Sequence, residues 1–181
     1  MNIKSEKILL SNKEILNTID DLADRLSQDI TKPKKRVIVG IRRGGAIVAR
    51  LLCQRLNKRL DREIPIGFLD ISFYRDDHHT VAANPVIGAT DLTMNIDDKR
   101  IILVDDVLFT GRTIRAALNA LFDYGRPEIV DLLVLADRGG RQLPVQPDYS
   151  GLNVETDKRE SIKLIDKKAA GLVLVRRQLE K

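Results

Sequence analysis

The run at residues 101–113 is the part of this chain whose residue types and spacing could do chemistry. It reads IILVDDVLFTGRT: four apolar residues, two adjacent carboxylates, three further residues and then Thr-Gly-Arg-Thr. The apolar residues predict a buried strand over 101–105, with Asp105 and Asp106 at its carboxyl end and neither carboxylate in the core. Because ligands of open α/β sheets bind at the carboxyl ends of the strands, we expect a binding site here.

The loop that follows the two carboxylates predicts an anion site. Thr110, Gly111 and Thr113 lead into a predicted helix, whose first backbone N–H groups and dipole favour a bound anion. Gly111 lets the backbone approach that anion closely. A phosphate site beside two carboxylates suits a phosphorylated sugar, because carboxylates accept hydrogen bonds from ribose hydroxyls and help to hold Mg²⁺.

Each piece of this run also has an ordinary structural explanation. Two adjacent aspartates often form a turn at a strand end, and a Thr-Gly pair often caps a helix. The whole run is far more specific than its pieces, and the functional interpretation is the stronger one. It is neither a Walker A loop nor a G-x-G-x-x-G dinucleotide fingerprint, since the chain contains neither pattern.

Strand and helix patterns alternate around this run, which predicts a parallel sheet with helices on both faces. The first dozen residues indicate no element, although Ser11 or Asn12 could cap the first helix. Apolar spacing predicts helices over 12–28, 46–59 and 113–124. Buried apolar runs predict strands over 36–41, 64–71, 101–105, 129–136, 161–165 and 172–176.

A long polar segment, 72–98, interrupts this alternation. It contains Asn84, Pro85 and Gly88 and has little helical period. A segment of this length inside a compact domain is usually a functional flap or a hairpin. We therefore expect few core contacts from it.

The residue composition and net charge of the chain exclude some classes of protein and favour others. Hydrophobic residues make up 43% of the chain, which excludes a disordered composition, while 4% aromatic residues and no Trp argue against a base-stacking surface. The net charge of +5 fits an anionic substrate and permits RNA. Cys53 is the single cysteine, so no internal disulfide forms. The N-terminal residues lack a signal-peptide pattern and the apolar runs are strand-sized, so we expect a cytoplasmic protein without membrane contact.

At 101–113 the sequence resembles the type I phosphoribosyltransferases. Four further segments resemble the PyrR group, pyrimidine operon attenuation proteins with uracil phosphoribosyltransferase activity: LDISFYRDD (69–77), GRP (125–127), LADRGGRQLPVQPDY (135–149) and GLN (151–153). The resemblance runs in order over nearly the whole chain. It implies a single domain over 1–181 with a central, mainly parallel twisted sheet flanked by helices, a flexible hairpin over about 72–98 and a small base-binding hood.

The resemblance assigns the run 101–113 to 5-phosphoribosyl-1-pyrophosphate (PRPP). Asp105 and Asp106 would be the catalytic pair, would contact the ribose and would hold Mg²⁺, the implied cofactor. The residues implied to bind PRPP are Ile101, Ile102, Leu103, Val104, Asp105, Asp106, Val107, Leu108, Phe109, Thr110, Gly111, Arg112 and Thr113.

The resemblance also implies where the pyrophosphate and the base bind. Arg42, Arg43 and Gly44 would approach the pyrophosphate, and Tyr74 and Arg75 would reach it from the closing hairpin. The residues implied to lie near the base are Asp137, Arg138 and Arg141.

The implied reaction joins uracil to PRPP and gives UMP and pyrophosphate, a step in pyrimidine salvage. The implied partners are PRPP, uracil and UMP, and the implied assembly is a homodimer or a higher homo-oligomer. Two alternatives stay open: a phosphoribosyltransferase for another base, and an RNA-binding attenuator of pyrimidine biosynthesis genes with UMP as effector.

The charge of the first predicted helix argues against specific RNA binding. Residues 14–29 carry five acidic side chains and one basic side chain, a net charge of about −4. Phosphate repulsion there would oppose binding. Relatives also commonly have a histidine at the position of Gly140. On sequence grounds we therefore expect specific RNA binding to be weak or absent.

Overall fold

Five parallel strands form the sheet that carries the run 101–113. The structure is a computed structural model, and it describes residues 3–29, 35–72, 90–157 and 159–180. Its elements are, in chain order, β1 (Ile3–Leu10), α1 (Asn12–Gln28), β2 (Arg36–Ile41), α2 (Gly44–Leu60), β3 (Ile66–Leu69), β4 (Arg100–Leu108), α3 (Arg112–Phe122), β5 (Ile129–Asp137), β6 (Tyr149–Asn153), β7 (Glu160–Lys167) and β8 (Gly171–Leu179).

The main sheet has the strand order β3-β2-β4-β5-β6, and every neighbouring pair is parallel. β2 and the first half of β4 lie at its centre, where both faces of each strand are covered. All six residues of β2 are buried; from Val37 to Ile41 this is expected for an apolar run in a parallel sheet. The predicted parallel sheet with helices on both faces is confirmed.

Two hydrophobic clusters lie on the two faces of this sheet. On one face α1, α2 and the antiparallel sheet β1-β8-β7 pack against side chains such as Ile38, Ile102 and Leu133. On the other face α3 packs against side chains such as Val39 and Leu103. The alternation of inward and outward side chains along each strand separates the two clusters.

α1 forms as its apolar spacing predicts. Ile15, Ile19, Leu22, Ala23 and Leu26 are buried on one face of the helix. Ser11 caps its start, because its side chain accepts from the backbone N–H of Glu14 while the Glu14 carboxylate accepts from the backbone N–H of Ser11. This reciprocal pair is a capping box, which satisfies N–H groups left free at a helix start.

Several boundaries differ from the predicted ones. β3 covers only 66–69 of the predicted 64–71, because its hydrogen-bonded register with β2 ends at Leu69. β1 and β6 were not predicted: β1 pairs with β8 at the far end of the chain, and β6 adds to the edge of the main sheet beside β5. β1 thus depends on a partner at the other end of the chain, and β6 depends on the strand before it. Within the described ranges, no helix is long and apolar enough to cross a bilayer.

The described end of the long polar segment is packed against the sheet. Asp91 pairs with Phe68 through two backbone hydrogen bonds of 2.8 Å, and Ile96 is fully buried under α3. The expectation of few core contacts is therefore wrong for residues 90–98, because their apolar side chains complete the α3 face. Residues 73–89, which contain most of the predicted hairpin, lie outside the described residues.

Candidate active site

The two adjacent carboxylates lie where β4 extends beyond its neighbour β2. β2 pairs with β4 only as far as Val104, whereas β5 continues to pair as far as Leu108. β4 therefore runs three residues past the predicted end at 105 because β5 still supports it. On the β2 side, Asp105 and Asp106 follow the last paired residue and face the start of α2.

The two carboxylates differ in burial. Asp105 is only 5% exposed, so the expectation that neither aspartate lies in the core is wrong for this one. Its Oδ1 accepts a 2.9 Å hydrogen bond from the backbone N–H of Asp106. Asp106 is half-buried, which leaves its carboxylate open to a ligand.

Two glycines bring the start of α2 against the acid pair. A Cβ atom built on Gly44 would lie 2.3 Å from the Cγ atom of Asp106, and one built on Gly45 would lie 2.4 Å from the carbonyl oxygen of Val104. Both distances are far inside van der Waals contact. Glycine at these positions is what lets the loop after β2 and the carboxylates of β4 form one site.

The starts of α2 and α3 are both open to an anion. Neither helix has a side-chain cap, and neither has an acidic residue in its first turn. Gly111 precedes α3 with φ of 91°, a conformation that glycine adopts at little cost. Residues 107–113 line a cavity of about 280 Å³. The predicted anion loop thus has space in front of the start of α3, where the backbone N–H of Arg112 donates to Thr110 Oγ1 at 3.4 Å.

The two arginines of the loop after β2, Arg42 and Arg43, differ in their contacts and in their exposure. The backbone N–H of Arg42 donates to Leu69 at 2.9 Å, and its guanidinium lies 5.5 Å from the centre of the Phe68 ring. Arg43 is exposed at the start of α2. Arg42 therefore braces the loop against β3, while Arg43 is exposed next to Gly44, which packs against Asp106. Tyr74 and Arg75 lie outside the described residues.

The three residues predicted near the base lie at the end of β5. Arg138 is 7% exposed and stacks 3.7 Å from the centre of the Phe109 ring. It donates to Thr156 Oγ1 and to the Glu160 carbonyl, each at 2.8 Å. Burial lowers the pKa of the Arg138 guanidinium. Arg138 thus joins Phe109, next to the anion loop, to the start of β7.

Asp137 and Arg141 form an ion pair at 2.5 Å. Partial burial alone would raise the pKa of the Asp137 carboxyl, but hydrogen bonds from Arg141 and from the Gly139 backbone outweigh burial and lower it. The carboxyl is therefore ionised at neutral pH. Its charge is already matched within the protein.

A second cavity, of about 390 Å³, opens at the carboxyl ends of β5 and β6. Asp137, Gly139, Asn153, Val154 and Glu155 line it. Only Asp137 of this set was a predicted site residue. The other residues depend on β6 pairing beside β5, and the only signal for them was the Gly-Leu-Asn string at 151–153.

Comparisons with known proteins agree over most of the chain. The phosphoribosyl transferase domain family matches residues 5–166. The bifunctional protein PyrR of Syntrophobacter fumaroxidans is 39% identical over 166 residues, covering 92% of this chain and 89% of that protein. The bifunctional protein PyrR of Pelotomaculum thermopropionicum is 48% identical over 126 residues, 70% of either chain.

Solved structures agree with the fold. A hypoxanthine phosphoribosyltransferase from Staphylococcus aureus has a TM-score of 0.67 at 25% identity, covering 87% of this chain and 80% of that one. A hypoxanthine-guanine phosphoribosyltransferase from Bacillus anthracis has a TM-score of 0.68 at 18% identity, covering 99% and 100%. The second likeness shows the fold alone. Both proteins share the fold described above.

Proposed function

Because the chain belongs to the type I phosphoribosyltransferase family and, within it, to the PyrR group, we propose that it converts uracil and PRPP into UMP and pyrophosphate. The contact between Gly44 and Asp106 carries the proposal. It puts a free helix start, a half-buried carboxylate and the anion loop at one edge of the sheet. PRPP needs all three, since it carries a 5′-phosphate and a 1-pyrophosphate on one ribose.

Each part of the site has one role in this proposal. The N–H groups at the start of α3, with Thr110 and Thr113, hold the 5′-phosphate. Gly44 and the start of α2 hold the pyrophosphate, to which Arg43 adds charge. Asp105 and Asp106 accept hydrogen bonds from the ribose hydroxyls.

The chemistry then needs positioning more than a nucleophile. As pyrophosphate leaves, the anomeric carbon gains oxocarbenium character, as in glycoside cleavage. Carboxylates beside the ribose stabilise that positive charge, and fixed N–H groups hold the 5′-phosphate and the pyrophosphate in place. The hairpin that contains Tyr74 and Arg75 is proposed to close over PRPP and exclude water, which could otherwise attack the sugar.

The donor chemistry of the acid pair fits Mg²⁺. This ion prefers oxygen ligands and is usually held by one or two carboxylates together with substrate phosphates and water. Within the described part of the chain, no cluster of three or more His, Cys, Asp or Glu side chains could hold a metal. Asp105 and Asp106 would therefore share the ion with PRPP, and bound Mg²⁺ would offset charge on the leaving pyrophosphate.

The base is proposed to enter the cavity at the ends of β5 and β6, beside Asp137. Asp137 and Arg141 are paired with each other, and Arg138 donates to Thr156 and to the Glu160 carbonyl. Because these side chains already have partners in the protein, backbone groups of that loop are expected to read much of the base edge. The segment 135–149 favours uracil through its resemblance to the PyrR group. Hypoxanthine is the natural competitor, because the similar solved structures are named for it.

Initial rates with a panel of bases test this proposal. With PRPP and Mg²⁺ held saturating, uracil is expected to give the highest kcat/KM among uracil, hypoxanthine, guanine, adenine and orotate. A faster rate with any other base would overturn the uracil assignment and keep the transferase. No pyrophosphate release with any base would overturn both.

One observation favours a second candidate function, RNA binding. Asp20 and Asp24 of α1 form ion pairs with α2: Arg59 lies 2.5 Å from Asp24 and 3.2 Å from Asp20, and Arg55 lies 3.5 Å from Asp20. The repulsion expected from the acidic residues of α1 is therefore smaller than their number implies, because α2 offsets two of the five charges. Lys58 adds a positive charge beside them on the wall of a 640 Å³ cavity.

RNA binding by the same protein, measured with and without UMP, tests this second function. The RNA function predicts that UMP strengthens binding of a pyrimidine-operon leader RNA over a scrambled RNA at near-physiological salt. It also predicts that Lys58→Glu weakens this complex, while Lys163→Glu on exposed β7 does not. Binding that is indifferent to sequence and disappears as salt rises would instead be plain phosphate attraction.

A further inference from the structure

Arg141 uses most of its hydrogen-bonding capacity inside the protein. Its Nε donates to the Val145 carbonyl at 2.9 Å. Its Nη1 donates to the carbonyls of Phe109 at 2.9 Å and Gly139 at 3.2 Å, and its Nη2 donates to Asp137 Oδ2 at 2.5 Å. A guanidinium has five N–H donors. Four bonds to protein oxygens leave this side chain little capacity to read a base.

The bond from Arg141 to the Phe109 carbonyl is one of several that join residues 108–110 to residues 138–143. The backbone N–H of Arg138 donates to the Leu108 carbonyl, and the N–H groups of Gln142 and Leu143 donate to the Thr110 carbonyl. These backbone bonds hold the positions on either side of Phe109. The carbonyl of Phe109 itself accepts from the Arg141 side chain, and Thr110 then leads directly into the proposed 5′-phosphate loop.

The ring of Phe109 also has close contacts on one face and at its edge. Arg138 stacks on one face of the ring. Gly140 lies against its edge with φ of 70°, and a Cβ atom there would be 2.4 Å from Cε2 of Phe109. Two arginines therefore fix this residue, one through the ring and one through the backbone.

From these contacts we infer that Arg141 is a positioning residue, which holds the phosphate loop in register with the base-side loop through the Phe109 carbonyl. This inference rests on the proposed function of the site. Its consequence is that ribose-phosphate binding depends on Arg141, although Arg141 lies on the loop assigned to the base. Lysine cannot replace it, because one ammonium cannot present a planar fork to four acceptors.

Ribose 5-phosphate is the probe that separates positioning from base contact, because it carries the phosphate and the ribose hydroxyls and no base. Its affinity would be measured by calorimetry for the full-length protein and for Arg141→Lys and Arg141→Ala. Both variants are expected to bind it about tenfold more weakly, as loss of one charged hydrogen bond would give. KM for PRPP should rise in the same proportion. Arg126→Ala, on an exposed arginine beyond the end of α3, is the matched control and should bind as the wild type does.

The other outcomes overturn the inference. If only the KM for uracil rises and ribose 5-phosphate binds normally, Arg141 contacts the base. If both variants melt earlier and still bind ribose 5-phosphate normally, its role is structural alone. Should Arg141→Ala fail to fold, Arg141→Lys decides by the same measurement. Normal wild-type binding of ribose 5-phosphate without uracil turnover would count against the uracil assignment only, whereas no wild-type binding would overturn both.

Discussion

Replacing Asp106 with asparagine is expected to lower kcat/KM for PRPP about 10²-fold, the scale found when a preorganised charge-stabilising group is removed from an active site. The substitution keeps the shape of the side chain and removes its charge. That charge is proposed to act on the ribose as positive charge develops there. Because Asp106 is half-buried beside Gly44, the fold should tolerate the change.

Two further variants test the other member of the acid pair and provide a control. Asp105→Asn should also lower kcat/KM, although an asparagine Oδ1 can keep the bond to the Asp106 backbone N–H. Asp166→Asn, on an exposed carboxylate of β7, should have wild-type kinetics. Melting curves would confirm that the variants are folded. Wild-type kinetics in both Asp105→Asn and Asp106→Asn would remove the acid pair from the active site.

Gly44→Ala is expected to cause a loss of comparable size without any change in charge. The new methyl group would occupy the space of the Asp106 carboxylate, whose Oδ2 lies 2.3 Å from the built Cβ position. The carboxylate can rotate away, so the fold should survive while the ribose contact is lost. Gly45→Ala should instead lower stability, since its methyl group would meet the backbone oxygen of Val104 at 2.4 Å.

A double-mutant cycle shows whether the clash is the cause. If Gly44→Ala acts by displacing the carboxylate, it should cost little more once Asp106 has already been changed to alanine, because the two changes remove the same contact. The measurement is kcat/KM for PRPP in the two single variants and the double variant. Fully additive losses would mean that Gly44 and Asp106 act independently.

The sequence predicted those features that depend on local patterns. The apolar spacing of α1, its capping residue Ser11 and the wholly buried strand β2 all follow from a few neighbouring residues. The acid pair and the anion loop were found in the same way, since 101–113 places them in one continuous run. The parallel order of the sheet then followed from the alternation of strands and helices.

Other features depend on residues far apart in the chain. β1 forms only against β8, and its exposed, polar pattern carries no strand signal of its own. The ion pairs that offset the charge of α1 join residues more than thirty positions apart. The resemblance placed Arg138 and Arg141 near the base, and the structure adds that they contact Phe109 and protein carbonyls. No periodicity could have placed those neighbours.

A crystal structure with PRPP and Mg²⁺ bound tests the central claim most directly. We expect the 5′-phosphate within hydrogen-bonding distance of the N–H groups of 111–113, the ribose hydroxyls on Asp105 and Asp106, and the pyrophosphate beside Gly44. A PRPP molecule bound elsewhere, with the acid pair and the start of α3 untouched, would contradict it.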